Sequence, residues 1–464
     1  KLYNTLSRQN DVVFPSDGNQ FRFYCCGPTV YGPAHIGNFR TFILQDVFRR
    51  VCEGLGMETF HVRNITDVDD KTIRGSQAAG QSLNEFTTFW RTRFEQDSER
   101  LSLKPPHVAP SAVEHIAEQI DMIKALLDKG LAYKASDESV YFRIAAWPDY
   151  GKLSGLRLED LRVNADQRLN SDDEYAKEGV GDFALWKAWK PEDGENAWDS
   201  PWGRGRPGWH IECSAMSCKY LGSEFDLHSG GVDLIFPHHE NEIAQTCGAL
   251  GGRFARHWFH VAHLRIEGEK MSKSLGNLFT LDDVVSWGHT EEELRFVLLS
   301  GHYRQPLNFT RDNLNAAASA LKRLRAFSAA LQKQGSQHID SWGRFHPVVE
   351  ALCEDINTPK ALGALFSVVG EAEMDFKSGG GSAQNWGQEA DSFRKIMEMF
   401  GFSLKEPAAI RISVPTEIEL MARQRWEAKQ NKEWARADAL RQHVLDSGWM
   451  IKDVPGGYEL EQKI

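Results

Sequence analysis

The feature that most constrains the fold lies near the N-terminus. It is an apolar strand segment, followed by a loop rich in glycine and proline and then by an amphipathic helix. The apolar run at residues 21–26 predicts a buried strand, residues 27–34 the loop, and residues 39–50 the helix. A second predicted strand, at residues 59–65, ends in a run of polar residues. Because open α/β sheets bind ligands at the carboxyl ends of their strands, this unit predicts a parallel sheet with a site at that edge.

The chain is 464 residues long, which exceeds one compact core and suggests about three domains at about 150 residues each. No apolar run approaches the roughly 20 residues that span a bilayer, so we expect no membrane segment. Seven scattered cysteines fit reduced thiols or metal ligands, and the N-terminal residues lack the pattern of a secretory signal. We therefore expect a cytoplasmic protein. The net charge of -11 gives no global basic field, so nucleic acid would have to bind at local patches.

The catalytic region is predicted in two halves. Residues 101–200 mix helix and turn signals with several prolines, which indicates an insertion between the halves of a Rossmann-type domain at residues 1–100 and 201–265. The second half is predicted to contain short strands and one helix, at residues 209–212, 225–228 and 258–264 for the strands and 237–249 for the helix.

The rest of the chain is predicted to be mainly helical. A lysine-containing region at residues 266–312 follows the sheet. Apolar residues at three- and four-residue spacing then predict a helical bundle at residues 313–406. Residues 407–464, with one long helix at residues 415–447, are predicted to form a small appended module.

The segment His35–Asn38 marks the first candidate nucleotide-binding group. If it begins a helix, the free N–H groups and the positive end of the helix dipole face a phosphate, while His35 and Asn38 add donors and Gly37 lets the backbone approach. The alternative is that His35 only starts the helix and Asn38 only caps it.

Two further segments fit a nucleotide triphosphate. Lys270 and Lys273 lie on a loop flanked by glycines, where two ammonium groups can follow charge onto a leaving pyrophosphate. Asp233, after Gly230 and Gly231, is placed to accept hydrogen bonds from ribose hydroxyls. The alternatives are a solvated basic loop and a turn aspartate.

Four residues far apart in the sequence form a candidate metal set: Cys26, Cys213, His238 and Glu242. Cys26 ends the first predicted strand, Cys213 follows the strand predicted at residues 209–212, and the other two lie four apart on one helical face. Two thiolates with an imidazole favour zinc over magnesium or calcium. His239 is predicted to share a helical face with Ile243 rather than Glu242, which favours His238. The alternative is that the cysteines are small buried hydrophobic residues.

Longer strings around these residues resemble the cysteinyl-tRNA synthetases, a class I aminoacyl-tRNA synthetase family. The resemblance runs almost end to end, through residues 24–31, 64–71, 208–216, 236–244 and the KMSKS string at 270–274. It implies a cysteine–tRNA ligase that activates L-cysteine with ATP and Mg²⁺ and transfers the cysteinyl group to tRNA(Cys).

The resemblance also assigns roles to residues. It matches the family's HIGH motif to residues 35–38, its zinc ligands to the candidate metal set, and its phosphate-binding lysines to Lys270 and Lys273. Thr66, Trp209 and His228 match the family's amino-acid pocket, where one Zn²⁺ would select the substrate thiol. Asn38 departs from the motif's second histidine, and it can donate one hydrogen bond but carry no charge.

The C-terminal module combines basic residues with tryptophans, a composition suited to single-stranded RNA loops or to a solvated helix face. Residues 429–438 resemble the family's anticodon-binding segment, which selects Lys429, Trp434 and Asp438 as contacts, while residues 266–312 would contact the tRNA stem. We expect a monomer. The alternatives are the related cysteine ligase of mycothiol synthesis, which lacks such a module, and an inactive tRNA-binding paralogue, favoured only by Asn38.

Overall fold

The structure is a computed structural model that describes residues 1–156, 181–272, 275–333, 341–378, 386–406, 416–447, 449–454 and 457–462. Its strands are β1 Leu2–Asn4, β2 Gln9–Asp11, β3 Gln20–Cys25, β4 Glu58–Arg63, β5 Ala132–Lys134, β6 Val140–Phe142, β7 Phe183–Ala188, β8 Gly205–Pro207, β9 Glu224–Gly231, β10 Phe254–Val261, β11 Leu264–Ile266, β12 Glu269–Lys270, β13 Leu307–Phe309, β14 Trp449–Val454 and β15 Gly457–Gln462.

Its α-helices are α1 Ile36–Gly54, α2 Asp70–Ala79, α3 Leu83–Arg100, α4 Ile116–Asp128, α5 Trp209–Leu221, α6 Glu240–Leu250, α7 Leu281–Ser286, α8 Glu291–Leu299, α9 Arg311–Gln332, α10 His346–Cys353, α11 Thr358–Ser378, α12 Trp386–Phe400, α13 Thr416–Gln430 and α14 Trp434–Asp446. Among these described helices, none combines the length and the hydrophobicity that crossing a membrane requires.

A parallel four-stranded sheet forms the centre of the catalytic domain, in the order β10-β9-β3-β4. Tyr24 of β3 pairs with His228 on one side and Val62 on the other, so the carboxyl ends of the strands meet at one edge. Helix α1 connects β3 to β4 and buries its apolar side against the sheet. This arrangement confirms the predicted Rossmann-type α/β fold.

Two predicted elements differ in the structure. Residues 209–212 are wrong as a strand, because they form the first turn of α5, whose apolar residues are buried on several faces. Trp209 and Ile211 alternate with His210 and Glu212, and over four residues such an alternation does not distinguish a strand from the first turn of a buried helix. The single helix predicted at residues 415–447 is instead α13 and α14, separated by a turn in which Lys432 adopts a positive φ of 60°. Residue 415 lies outside the described residues.

The insertion carries an antiparallel sheet in the order β5-β6-β7-β8, and it is tied to the catalytic domain by charge. Strand β8 lies beyond residue 200, where the sequence analysis ends the insertion. Asp70, the first residue of α2, binds Lys187 of β7 at 3.0 Å and also binds Arg206 of β8. These ion pairs fix the insertion beside the polar run that follows β4.

The helices after the sheet pack against α1 through a buried ion pair. Arg295 of α8 donates to Asp46 of α1 at 2.6 Å and to the Phe400 carbonyl at 2.7 Å. Helices α9 to α12 form the predicted bundle, and β12, β11 and β13 form a small sheet beside it. Helices α13 and α14 pack on the β14–β15 hairpin.

Candidate functional site

A cleft of about 590 Å³ opens at the carboxyl edge of the parallel sheet. Its walls come from the loop after β3, the start of α1, the end of β10 and the turn after β9, together with Trp209, His238 and Lys270. The cleft therefore lies where the sequence predicted a ligand site.

Helix α1 begins as predicted at the HIGH-like segment. His35 is its N-cap and accepts a hydrogen bond from the Asn38 N–H at 3.2 Å through Nδ1, while the Asn38 side-chain oxygen accepts from the His35 N–H at 3.1 Å. Burial lowers the pKa of His35, and the nearby Asp233 carboxylate opposes that shift. His35 and Asn38 thus act as caps and also line the cleft, so the two interpretations of this segment are compatible.

The KMSKS-like segment lies directly over the start of α1. A Cβ atom added at Gly37 would lie 2.9 Å from the Met271 sulfur, so glycine is needed for this close approach. The Ile36 N–H also donates to the Phe279 carbonyl at 2.9 Å. Lys270 reaches the cleft from β12, whereas Lys273 lies outside the described residues. The two predicted phosphate-binding segments therefore meet.

The turn after β9 supplies the third predicted nucleotide group. Gly231 and Asp233 line the cleft, and a Cβ atom at Gly231 would lie 2.3 Å from the Asp233 carboxylate oxygen. A Cβ atom at Gly230 would lie 2.8 Å from the His239 ring. The two glycines let this turn pack tightly while Asp233 faces the cleft.

The candidate metal ligands converge at the inner end of the cleft. One nitrogen, oxygen or sulfur atom from each of Cys26, Cys213, His238 and Glu242 lies within 4.8 Å of the others. The two sulfur atoms are 4.0 Å apart, and His238 Nε2 is 3.1 Å from Glu242 Oε1. Sulfur ligands at about 2.3 Å from a tetrahedral zinc ion lie about 3.8 Å apart, so this donor set fits zinc.

A second set shares two of these residues, namely Cys26, His228, His239 and Glu242. The prediction that His239 points away from Glu242 is wrong, because His239 Nε2 lies 3.9 Å from that carboxylate and 3.3 Å from the Cys26 sulfur. His239 and Glu242 are three residues apart, and helical residues at this spacing share a face, so regular helix geometry already allows the contact.

Access to the cleft distinguishes the two sets. Both sets contain Cys26, which lines the cleft, but only the set with Cys213 also contains His238, which lines it as well. Cys213, His228 and His239 are buried and do not line the cleft. His228 Nε2 lies within hydrogen-bond distance, 2.9 Å, of Glu242 Oε2 and therefore holds the carboxylate from behind. The set with Cys213 thus faces the cleft, with His228 behind it as a supporting residue.

Burial dominates the electrostatics of this cluster. It raises the pKa of the Cys26 thiol well above its ordinary value, raises that of Cys213, and lowers that of His238. Protein atoms alone therefore favour neutral thiols and a neutral imidazole. A divalent cation between them reverses the preference of the thiols, since a metal-bound thiol is deprotonated.

Of the three residues predicted for the amino-acid pocket, Trp209 and His228 contact this cluster, whereas Thr66 does not line the cleft. The Trp209 ring packs against the His238 ring with centroids 4.2 Å apart, and Trp209 lines the cleft. Thr66 is buried after β4 and accepts a hydrogen bond from the Asn64 side chain at 3.1 Å. His228 contacts Glu242 rather than the cleft surface.

Sequence reasoning missed a chain of histidines behind the metal candidates. His239 Nδ1 lies 2.8 Å from His260 Nε2, and His260 Nδ1 lies 2.7 Å from the Thr5 hydroxyl. His210 Nδ1 lies 2.9 Å from His238 Nδ1. His257 and His260 lie three residues apart in β10 and so on opposite faces of the strand, which means that strand periodicity gave no signal for this chain.

The three predicted anticodon residues lie in the C-terminal module. Lys429 is paired with Asp453 at 2.7 Å, and its Nζ lies 5.7 Å from the Trp426 ring. Trp434, at the start of α14, is 58% exposed, and Asp438 is exposed one turn later. An exposed tryptophan at a helix start is available for stacking.

Family models and known proteins resemble this chain along its length. Residues 12–319 match the "tRNA synthetases class I (C) catalytic domain" and residues 347–405 the "DALR domain". A cysteine–tRNA ligase from Opitutus terrae is 50% identical over 472 residues, which cover 99% of this chain and 98% of the relative. A cysteine–tRNA ligase from Protochlamydia amoebophila is 41% identical over 480 residues, which cover 100% and 98%.

The fold also resembles solved synthetase structures. The methionyl-tRNA synthetase of Mycobacterium tuberculosis in complex with methionyl-adenylate matches with a TM-score of 0.58 and 14% identity, covering 82% of this chain and 89% of that chain. At this identity the likeness concerns the fold. These relatives give no support to the mycothiol-synthesis ligase or to an inactive paralogue.

Proposed function

The chain belongs to the cysteine–tRNA ligase family of class I aminoacyl-tRNA synthetases, and from this premise we propose how its cleft carries out the reaction. The enzyme activates cysteine with ATP and charges tRNA. The cysteine carboxylate attacks the α-phosphate of ATP, pyrophosphate leaves, and the cysteinyl group then passes to the terminal ribose of tRNA. The nucleophile is already anionic, so the first step needs no general base.

Catalysis of the first step depends on positioning the two substrates and on neutralising the charge of the leaving pyrophosphate. We assign phosphate binding to His35, Asn38 and Lys270, which line one cleft, and to Lys273 from the sequence. The contact of Gly37 with Met271 supports this assignment, because it holds the two motifs together. Gly230, Gly231 and Asp233 would bind the ribose, and Mg²⁺ would arrive with ATP.

We assign selection of the amino acid to the four metal ligands. Cys26, Cys213, His238 and Glu242 would hold one Zn²⁺, to which a substrate thiol binds as thiolate and a serine hydroxyl binds poorly. Trp209 and Thr66 would shape the pocket, and His228 would orient the Glu242 carboxylate. A directional bond to the discriminating atom exceeds the ~1–3 kcal/mol that a small difference in shape supplies.

We assign recognition of the tRNA anticodon, which lies outside the cleft, to the C-terminal module. Trp434 would stack on an unpaired anticodon base, while Asp438 and Lys429 would contribute polar contacts. The Lys429–Asp453 pair leaves less net positive charge there than the sequence indicated, so stacking would contribute more than charge.

We further propose that the chain works as a monomer in the cytoplasm. All groups assigned to the cleft come from one chain, which supports a monomer. The seven cysteines are free thiols, which suits a reducing compartment.

The observation that carries the proposal is the convergence of two thiols, an imidazole and a carboxylate beside the phosphate-binding segments. The test is cysteine-dependent pyrophosphate exchange with Cys213→Ser. We expect loss of exchange and of bound zinc with little change in ATP affinity. The matched control is Cys218→Ser on the same helix, whose sulfur lies against Thr246 outside the cluster and which should stay near wild type.

Equal exchange in Cys213→Ser and the unsubstituted protein would contradict the metal assignment. Radiolabelled cysteine offered with ATP and either tRNA or an amino sugar tests the acceptor. Attachment to tRNA is expected, and attachment to the sugar would contradict the assignment of the second step.

A further inference from the structure

The outer wall of the cleft is a helical hairpin of α2 and α3. A Cβ atom at Gly75 would lie 2.7 Å from the Phe86 ring, which shows how closely the two helices pack. Lys71 near the start of α2 and Trp90 in the middle of α3 both line the cleft. The hairpin therefore presents side chains of both helices to the cleft.

This wall exposes aromatic rings beside positive charge. Phe89 is 60% exposed, and its ring lies 5.0 Å from that of Trp90. Tyr31, in the loop after β3, is 38% exposed, and the Lys71 ammonium lies 5.5 Å from its ring. Arg74 is exposed one turn after Lys71 on the same helix. Phe89 and Tyr31 are too exposed for their aromatic side chains to be explained by a role in the hydrophobic core.

A packing role explains the other aromatic residues of α3. Phe86 and Phe94 are buried against α2 and α1, and they belong to the core. A single exposed phenylalanine would also be ordinary on a protein surface. Here, however, Phe89 lies beside a cleft-lining tryptophan, and a second exposed ring lies beside a lysine in the same cleft.

We propose that Tyr31, Lys71, Phe89 and Trp90 form the seat of the single-stranded 3′ end of tRNA. This inference rests on the proposed function, because the terminal ribose must reach the cleft to accept the cysteinyl group. Exposed aromatic rings stack on unpaired bases, and neighbouring cations hold the phosphates, without needing a particular sequence. None of the residues assigned to ATP or to the metal lies in α2 or α3, so this hairpin remains for the second substrate.

The position of α2 suits such a path. Asp70 binds Lys187 and Arg206 of the insertion, so the hairpin is fixed between the insertion and the cleft. Gln77 at the other end of α2 donates to the Glu192 carbonyl at 2.6 Å. A strand of RNA that passes the insertion therefore meets Lys71 and the exposed rings before it reaches the metal ligands.

The test separates the two steps of the reaction. The Phe89→Ala variant removes an exposed ring and leaves the core intact. We expect unchanged cysteine-dependent pyrophosphate exchange, and a transfer rate from preformed adenylate to a tRNA(Cys) transcript that falls about five- to tenfold, the lower end of what a base stack contributes. Phe89→Trp keeps a stacking surface and should transfer within about twofold of wild type.

A matched control is Phe14→Ala, which removes a phenylalanine that is 58% exposed and lies outside the α2–α3 hairpin, between β2 and β3. Both steps should stay at wild-type rates in this variant. A transcript with an abasic site in the single-stranded 3′ end should lose transfer with the unsubstituted protein and show no further loss with Phe89→Ala.

Three results would overturn the assignment. Transfer at the wild-type rate in Phe89→Ala would show that no base stacks there. An equal fall of exchange and transfer would assign the residue to the adenylate site or to the fold. Absence of cysteine-dependent exchange in the unsubstituted protein would instead refute the proposed function itself, and the seat with it.

Discussion

Replacing Asp46 with asparagine should weaken the packing between the catalytic domain and the helices that follow it, and so lower the free energy of unfolding. The Asp46 carboxylate accepts from Arg295 at 2.6 Å, from Arg50 at 2.7 Å and from the Lys104 N–H at 2.9 Å. The side chains of Asp46 and Arg295 are 4% and 1% exposed. Asparagine keeps the size of the side chain and removes the charge that balances two guanidinium groups.

The magnitude follows from the burial of the partners. Leaving a buried charge without its counter-charge costs about 3–5 kcal/mol. Arg50 is 13% exposed and can turn partly towards water, so we expect the lower end, about 3 kcal/mol. A loss of this size at pH 7 is a large part of the free energy of unfolding of a domain.

The pH dependence has a definite sign. Burial acts to raise the pKa of Asp46, but Arg295 and Arg50 outweigh it and lower the pKa below its ordinary value. The stabilisation is therefore complete above the unfolded pKa of about 3.9 and is lost as the pH falls through the lower folded pKa. The difference between wild type and Asp46→Asn should be constant from pH 7 to about pH 4 and then shrink.

Urea unfolding followed by tryptophan fluorescence at several pH values measures this difference. The matched control is Asp97→Asn, whose carboxylate is buried but whose partners Arg93 and Arg100 are about a third exposed. Its cost should stay below about 1 kcal/mol because solvent screens these partners. A cost below about 1 kcal/mol for Asp46→Asn, or a difference that does not change below pH 4, would refute the reasoning.

Three other substitutions test separate parts of the structure. Arg40 is fully buried and donates to the carbonyls of Ala262, His263, His302 and Gln305. Arg40→Met should therefore lower the free energy of unfolding, measured in urea, by about 3–5 kcal/mol. A loss below about 1 kcal/mol would contradict these contacts. A Cβ atom at Gly27 would lie 1.7 Å from the Asn64 carbonyl oxygen, so Gly27→Ala should cost about 3 kcal/mol by the same assay, and an unchanged midpoint would show that the loop yields easily. Trp434→Ala should raise the tRNA KM about five- to 100-fold with unchanged pyrophosphate exchange, and an unchanged KM would exclude stacking on Trp434.

Local sequence patterns predicted the strand, the loop and the helix that form the first part of the cleft. The glycines and prolines of residues 27–34 and the helix start at His35 specify a strand, a loop and a helix without long-range information. The sequence predicted that residues 35–38 and Lys270 both bind phosphate, and the structure brings Gly37 of the first segment against Met271 beside Lys270. Placement of Lys273 stays a prediction, since it lies outside the described residues.

Some features of the structure depend on tertiary packing and could not be predicted from sequence patterns. Residues 209–212 alternate apolar and polar side chains as a strand does, and burial of α5 on several faces removes the amphipathic pattern that would identify a helix. His238 and His239 lie four and three residues before Glu242, and both spacings fit one helical face, so periodicity does not choose between the two histidines. The exposure of Phe89 depends on the α2–α3 pairing, so sequence alone gave no reason to single it out.

Zinc K-edge X-ray absorption of the metal-loaded protein tests the central claim most directly, because it counts the atoms around the ion. We expect two sulfur neighbours at about 2.3 Å and two nitrogen or oxygen neighbours at about 2.0–2.2 Å. Addition of L-cysteine should add a third sulfur neighbour, and addition of L-serine should not. A shell without sulfur, or a sulfur count that stays at two with cysteine bound, would contradict the account.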